Sequence, residues 1–478
     1  MKTRFPDAPR AAGARRAVPA IGVLASLLWL TGCATVDPQP SFDRVAGAVA
    51  ERNGQSIVWT VDETDRAAAR AILEQELSLD NAVRLALISS PQLQAQYQRL
   101  GIAEARLAQA GLMRNPVFDV SYLDGHGENE LELGVSADFL DVFLIPLRRQ
   151  RAEANQRETE LAVIRAVLHR IGEVRQAWVS AVSARQLLAS ERESQAQLES
   201  MDQLSEALRQ AGNIPRLERR RARLVALESR LRVDHAESAA ANAKDKLAVV
   251  IGAWGEDIDW QLPGRLPKIP RTEATQAAFE AEAVAHSLDL EIAREAILAE
   301  AAGLQLADRE FLIPSLELGW SAERESGEWK NGPAAAFALP LIDTGRAGKA
   351  SRSARLEQLR RQYLQLEIEI RAAARRAHRE LQLRRSAVDH MLDSVLPLAS
   401  SEQQEIVLHY NAMEVGIADV LESRLEFSDI GRRFVEALAA YWQARERHAA
   451  LLQGVLIETP PMVAGDVPAL ETADRGGH

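Results

Sequence analysis

Between residues 77 and 454 one pattern is written twice: an apolar-periodic helix, two short alternating segments, a very long polar-rich helix, a turn and a return helix. The first copy spans 77–252 and the second 272–454, joined by a linker at 253–271. From Pro146 to Ala211 only an isolated Gly172 disfavours a helix. At ~1.5 Å per residue this makes a rod of roughly 98 Å. Gly212-Asn213-Ile214-Pro215 ends it, since Gly and Asn terminate helices and Pro restarts them. The return segment runs to Ile251, and Ser78 to Met113 is expected as the partner helix before the strands. In the second copy, Thr272 to Phe311, Thr344 to Asn411 and Val415 to Gln453 repeat the scheme, with a tip at 412–416. Leu204, Leu208, Leu217, Leu224, Leu227 and Leu231 fall at helical spacing among Arg and Glu. That narrow seam predicts helices packed in a wall, coiled-coil fashion, wet on both sides.

The alternating segments lie at 115–139 and 314–340. Phe118, Val120 and Tyr122 share one face against Asp119 and Ser121. After turn material at Asp124–Asn129, Leu131, Leu133, Val135, Ala137 and Phe139 alternate with Glu132, Gly134, Ser136 and Asp138. Leu316, Leu318 and Trp320 repeat the pattern opposite Ser315, Glu317, Gly319 and Ser321. A polar loop is expected from Glu323 to Asn331, before Ala335, Phe337 and Leu339. Each segment has the length of a tilted membrane-crossing strand. Four such strands cannot close a barrel, whereas three chains supply twelve. The fold class is therefore mainly α with a small transmembrane β part, two structural repeats and four membrane strands per chain.

Residues 1–32 read as an export signal. Lys2, Arg4, Arg10, Arg15 and Arg16 precede an apolar run from Val18 to Leu30, too short to span a bilayer. Leu30-Thr31-Gly32-Cys33 resembles the lipobox of bacterial lipoproteins. The resemblance implies that Cys33, the one cysteine of the chain, carries covalent lipid, palmitate among its acyl groups, and that Ala34 after it directs the protein to the outer membrane. Residues 33–76 are expected as a tether wrapping the body, with a strand-like patch at Ile57–Thr60. Residues 455–478, rich in Pro and Gly, are expected as a mobile tail.

Ala, Leu, Glu, Gln and Arg dominate, the composition of long helices, and aromatics are only 5%. The net charge of −11 argues against nucleic acid as a partner. Walker loop, dinucleotide fingerprint, HExxH and nucleophile elbow are absent from the sequence, so it gives no ground for an enzyme. No two of the nine histidines are three or four residues apart, so neither a helical metal site nor a cofactor is expected. His126, in the first outer loop, is the histidine best placed to touch metal. Glu218 and Asp419, just past the two tips, are candidate charge-filter residues; stabilisation of a helix N-terminus explains them equally well.

The chain resembles the outer-membrane efflux proteins, the TolC-like family, over about residues 77–454. Four motifs carry the likeness. They are Leu79-Asp80-Asn81-Ala82-Val83-Arg84-Leu85-Ala86-Leu87 with Ser90-Pro91-Gln92-Leu93; Gln109-Ala110-Gly111-Leu112-Met113-Arg114-Asn115-Pro116; Leu339-Pro340-Leu341-Ile342-Asp343-Thr344-Gly345-Arg346; and the tips, Gly212 to Glu218 and Tyr410 to Leu421. The resemblance implies a homotrimer in the bacterial outer membrane, its strands closing a 12-stranded barrel continuous with a helical tunnel through the periplasm. It implies a tip that meets a periplasmic adaptor (membrane fusion protein) linked to an inner-membrane pump of RND or ABC type. Asn115-Pro116 and the Tyr410-Asn411-Ala412-Met413 tip look most like the heavy-metal efflux branch. One departure stands out: the family usually has a glycine where Met413 stands, and Gly416 comes three residues later. Passive efflux of metal ions or small toxic compounds is the leading expectation. A type I protein secretion conduit and a structural envelope lipoprotein are the alternatives.

Overall fold

The computed structural model describes residues 36–59, 63–125, 128–271, 278–312, 316–325, 327–338 and 344–456. Cys33 and the signal, His126, Leu339 to Asp343 and residues 457–478 lie outside them. The described residues from Pro38 onward belong to one compact unit. Its order is α1 Gln39–Asn53, α2 Glu63–Leu73, α3 Leu79–Ser89, α4 Pro91–Ala110, β1 Val117–Gly125, β2 Glu128–Asp138, α5 Asp141–Gln210 and α6 Arg216–Ile251. The second half follows as α7 Phe279–Ala285, α8 Leu288–Leu312, β3 Leu316–Glu325, β4 Glu328–Phe337 and α9 Arg346–His390. A π turn at Met391–Val395, α10 Leu396–Asn411 and α11 Ile417–Leu452 complete it. Among the described residues no helix is long and apolar enough to cross a membrane.

The 70-residue α5 is the spine, packed along α6, α8, α11 and α4. Its middle carries Val163, Val167, Leu168, Ile171, Val174, Trp178 and Val182, all buried. The seam is therefore not uniformly narrow: it is wide at this level and thins toward the tip, where Leu198, Asp202 and Ser205 are the buried residues. The reason is what covers the spine. Phe42, Val45 and Val49 of α1 are buried in the same core, and Phe42 stacks edge-on against Tyr97 at 5.3 Å. The segment expected as a wrapping tether is thus helical and part of the core. Ile57–Trp59 forms no strand, and Thr60 lies outside the described residues.

The linker is also part of the core. Gln261 bridges Glu76 in parallel, and Trp260, Leu262 and Leu266 are buried. Trp178 Nε1 donates to the Leu77 carbonyl at 2.8 Å, and Trp442 Nε1 to that of Pro267 at 3.0 Å. The first indole ties α5 to the segment before α3, and the second ties α11 to the linker.

Three expected single helices are interrupted. Ser78–Met113 breaks at Ser90 (ψ 111°), because Pro91 drives the residue before it out of the α region. The helix before β3 breaks at His286-Ser287 into α7 and α8. The second long helix passes through the π turn just before Pro397, whose missing N–H and ring cannot fit a regular α turn. The long helix of the first copy starts earlier than expected, at Asp141, with Pro146 inside its second turn.

The two copies end alike. At Gly252 and Gly454 the chain reverses with positive φ, and the next N–H caps α6 or α11 by a six-residue bond, Ala253 N to Ala248 O and Val455 N to Ala450 O, each 2.9 Å. Gly252 abuts Ser89-Ser90, just before α4, and Gly454 abuts His286–Leu288, just before α8. Duplication in sequence thus becomes duplication of the same helix-end joint.

Candidate functional site

The strands form one antiparallel sheet in the order β1-β2-β3-β4, with 9, 11, 10 and 10 residues. The register sets Phe118, Val135, Trp320 and Pro333 in one row and Tyr122, Leu131, Arg324 and Trp329 in another. Apart from Arg324 and Asn331 this face is apolar, and it is open: Phe118, Tyr122, Trp320, Trp329 and Phe337 are all half exposed or more. From Trp329 to Phe337 this face runs roughly 27 Å along the strand, which at a tilt of about 40° is a height of about 20 Å. The opposite face holds the rows Asp119, Gly134, Ser321, Gly332 and Ser121, Glu132, Glu323, Lys330.

Two outcomes differ from the sequence reading. The expected loop from Glu323 to Asn331 is mostly strand, because β3 runs to Glu325 and β4 begins at Glu328. Likewise β1 and β2 run into the expected turn at Asp124–Asn129. Polar residues do not interrupt a ladder made by the backbone; they end only its apolar face. The second outcome is Glu132 directly opposite Glu323. Like charges so placed disfavour pairing. Alternation marked the face of Glu132, but only register brings Glu323 beside it.

At the far end of the long helices the two tips are built alike. Gly212 N bonds Arg209 O at 3.0 Å and Asn213 N bonds Leu208 O at 2.9 Å. At the second tip Met413 N bonds Tyr410 O at 3.0 Å and Glu414 N bonds His409 O at 2.9 Å. Both are Schellman ends with a left-handed residue after the helix. Gly212 (φ 78°) meets that demand freely; Met413 (φ 63°) is the one non-glycine residue with positive φ among those described. Met413 is also 93% exposed, so no packing compensates its backbone cost of about 1 kcal/mol. Met413→Gly is expected to stabilise the second tip by up to about 1 kcal/mol, read as slower hydrogen exchange at residues 409–416. The side chains of His409 and Glu414 are bonded to each other, where an apolar contact commonly closes this motif.

Glu218 and Asp419 hold the same position, third in the return helix, but differ in bonding. Asp419 Oδ2 accepts from Gly416 N at 2.8 Å, so this carboxylate caps α11. Glu218 cannot do the same for α6, because the corresponding residue is Pro215, which has no N–H. The first tip is held instead by an ionic cluster. Arg219 bonds Asp202 and Glu206, and Arg223 Nη1 donates to Asp202 at 3.0 Å. Asp202 and Glu206 are one turn apart on α5, and Arg219 and Arg223 one turn apart on α6. The hydrogen bond from Arg219, first among several, holds the Glu206 carboxyl down to about 2 from its ordinary 4.5. No spacing rule on a single helix shows this cluster, because it needs the hairpin closed.

In the half of α5 nearer the sheet, a groove of about 780 Å³ lies between α4, α5, α8 and α9. Gln156 and Glu160 face α1, and Glu158 and Ala162, half a turn away, line the groove. Burial there pushes the Glu158 carboxyl up. Among the described residues no cluster of three or more His, Cys, Asp or Glu could hold a metal ion.

Comparison with protein-family profiles gives no match. Curated proteins give none either. Solved structures do match. The outer membrane protein VceC of Vibrio cholerae superposes with a TM-score of 0.66 at 17% identity, over 80% of this chain and 97% of that one. The Campylobacter jejuni CmeC outer membrane channel gives 0.64 at 15%, over 84% and 88%. CusC, described in terms of folding and transmembrane channel formation, gives 0.65 at 17%, over 80% and 92%. The duplicated hairpins, the four-stranded sheet and these superpositions together establish that the chain has the fold of outer-membrane channels of the TolC type.

Proposed function

We propose that the chain is the outer-membrane channel of a tripartite export system. Three copies close a 12-stranded barrel, and the α5/α6 and α10/α11 hairpins extend the conduit into the periplasm. Transport through it is passive, with no catalytic step and no cofactor beyond lipid on Cys33. The observation that carries the reading is the sheet: one open, largely apolar face, one polar face, and both outer edges, β1 and β4, left to pair with further copies. An unpaired edge in lipid costs several kcal/mol per unsatisfied group, which favours closure between chains. The tips are the docking surface for a periplasmic adaptor, itself joined to an inner-membrane RND or ABC pump. Metal ions or small toxic compounds are the proposed cargo. Conductance of the purified protein in planar bilayers tests the reading; an assembled protein that never conducts overturns it.

Two finer points belong to the same proposal. The lipobox ending at Cys33 makes that residue the acylated start of the mature protein. Intact mass of membrane-extracted protein checks this, and an unmodified chain or one retaining residues 1–32 sinks it. Glu218 and Asp419 impose a cation preference at the tips. E218Q with D419N is expected to shift the reversal potential in a salt gradient toward zero. Asp419→Asn alone also weakens the cap of α11, so Glu218→Gln, which breaks no cap, is the cleaner arm. Unchanged selectivity in an assembled double mutant leaves Asp419 only its capping role.

A further inference from the structure

The groove between α4, α5, α8 and α9 is apolar along part of its wall and unbalanced in charge. Ala162, Ala166, Ala293, Ala296 and Leu359 line it. Four of its charged side chains neutralise one another, Arg165 with Asp289 and Arg170 with Glu173. Glu300 is paired with Arg352 at 3.7 Å. Arg99, Arg151 and Arg355 also line the groove, from three different helices. Arg99 donates to Gln96 at 3.1 Å and Arg355 to Gln358 at 2.8 Å, but none of the three forms an ion pair among the described residues. Against them stands one carboxylate without an ion pair among those residues, Glu158. Three cations gathered around one trough repel each other and attract an anion.

The chain itself leads into this groove. After α11 it reverses at Gly454, and Val455 and Leu456 then line the groove, Leu456 beside Leu290 and Leu366. Residues 457–478 continue from there. They carry Glu458, Asp466, Glu471 and Asp474 against Arg475, with Ile457, Met462, Val463, Val467 and Leu470 between them. Pro460-Pro461 favours an extended backbone, the form that lies along a trough between helices. Asp289 pairs with Arg165, so Leu456, beside Leu290, enters at the level of Arg165. From there Arg151 lies fourteen residues toward the sheet on α5, roughly 21 Å. Arg355 lies eleven residues from Leu366 in the same direction on α9, roughly 17 Å. Residues 457–466 span up to roughly 33 Å when extended, so Asp466 is within reach of both.

We propose that residues 457–466 dock in this groove of their own chain, with Met462 and Val463 against its alanines and Asp466 paired with Arg151 and Arg355. The segment is then a strap laid over four helices, α4 and α5 of the first copy and α8 and α9 of the second, and it joins the two halves of the duplicated wall. Weak contacts suffice because the strap is tethered. A segment joined directly to its site meets it at an effective concentration of about 1 mM, so a dissociation constant of about 0.1 mM fills the groove about nine-tenths of the time. The proposal stands on the groove and on the chemistry of this segment, and it does not depend on the channel reading.

Photocrosslinking in an isotope-mixed sample tests it. A benzophenone amino acid replaces Val463 in the full chain, and half of the chains carry heavy nitrogen, so that adducts within one chain are told from adducts between copies. Adducts within one chain to peptides covering 151–173, 289–300 or 355–366 are expected as the main product. Glu458→Lys with Asp466→Lys alters no described residue and is expected to lower their yield at least about fivefold, because charge-assisted bonds become repulsions. Arg151→Glu with Arg355→Glu should act alike; the tail variant decides where this one does not fold. Adducts mainly between copies put the segment in a neighbour's groove and overturn the proposal, as do adducts elsewhere in the chain or none at all. A yield that survives charge reversal overturns it too, since tethering alone then brings the segment near. None of these results bears on the sheet, so the channel reading stands or falls separately.

Discussion

Gly319→Val is expected to abolish the assembled channel, while Gly332→Val, one strand away on the same polar face, leaves it intact. A Cβ at Gly319 would stand 2.3 Å from the Val135 carbonyl oxygen and 3.0 Å from Ser136 Cα; at Gly332 it would meet nothing within 4 Å. The obstacle at 319 is backbone, so no rotamer relieves it and the central β2–β3 pairing must separate. Overpacking alone costs up to about 3 kcal/mol, and each ladder bond lost adds about 1 kcal/mol. Native mass spectrometry in detergent should show no oligomer for Gly319→Val and unchanged oligomer for Gly332→Val. Bilayer conductance should follow. An assembled, conducting Gly319→Val would mean that β2 and β3 are not paired in this register.

Arg219→Met is expected to loosen the first tip. The substitution keeps the aliphatic stem and removes the cation shared by Asp202 and Glu206. Asp202 retains Arg223 at 3.0 Å but is only 10% exposed, so the lost bond is partly desolvated. A charged hydrogen bond of this kind is worth about 2 kcal/mol, equivalent to roughly 30-fold faster hydrogen exchange over 202–223. Acid should imitate the mutation. The Glu206 carboxyl is lowered in the folded tip, so its contribution is complete above its ordinary 4.5 and is lost as pH falls toward about 2. Exchange at the first tip should rise across that window in the native protein and change less in Arg219→Met. The second tip has carboxylate bonds of its own, Asp419 to Gly416 N and Glu414 to His409, so the comparison that decides is the native protein against Arg219→Met. An equal acid response in both proteins would remove Glu206 from the explanation.

These two positions also mark the boundary of what could be read before the structure. The long rods, the strand pairs and the tips are visible in sequence because each follows from local chemistry. Breakers are missing over 146–211, alternation has period two, and Gly212-Asn213-Ile214-Pro215 can only be a turn. The left-handed residue at the second tip was legible as an oddity, since methionine stands in a glycine's place, but its φ was not. Strand ends were misread at Glu323 to Asn331 because polarity marks where an apolar face stops, not where backbone pairing stops.

The sequence by itself determined the duplicated plan, the unbroken long rod of the first copy and the two-faced strands. Each is set by residues adjacent in the chain or one helical turn apart. Only the tertiary structure decided that α1 and the 253–271 linker belong to the core, since Val45 and Trp260 become buried only against α5 and its neighbours. It alone placed Glu132 beside Glu323, Arg219 against Asp202 and Arg114 against Asp141. Those contacts join residues from 17 to 191 positions apart, and register and hairpin closure, rather than local preference, bring them together.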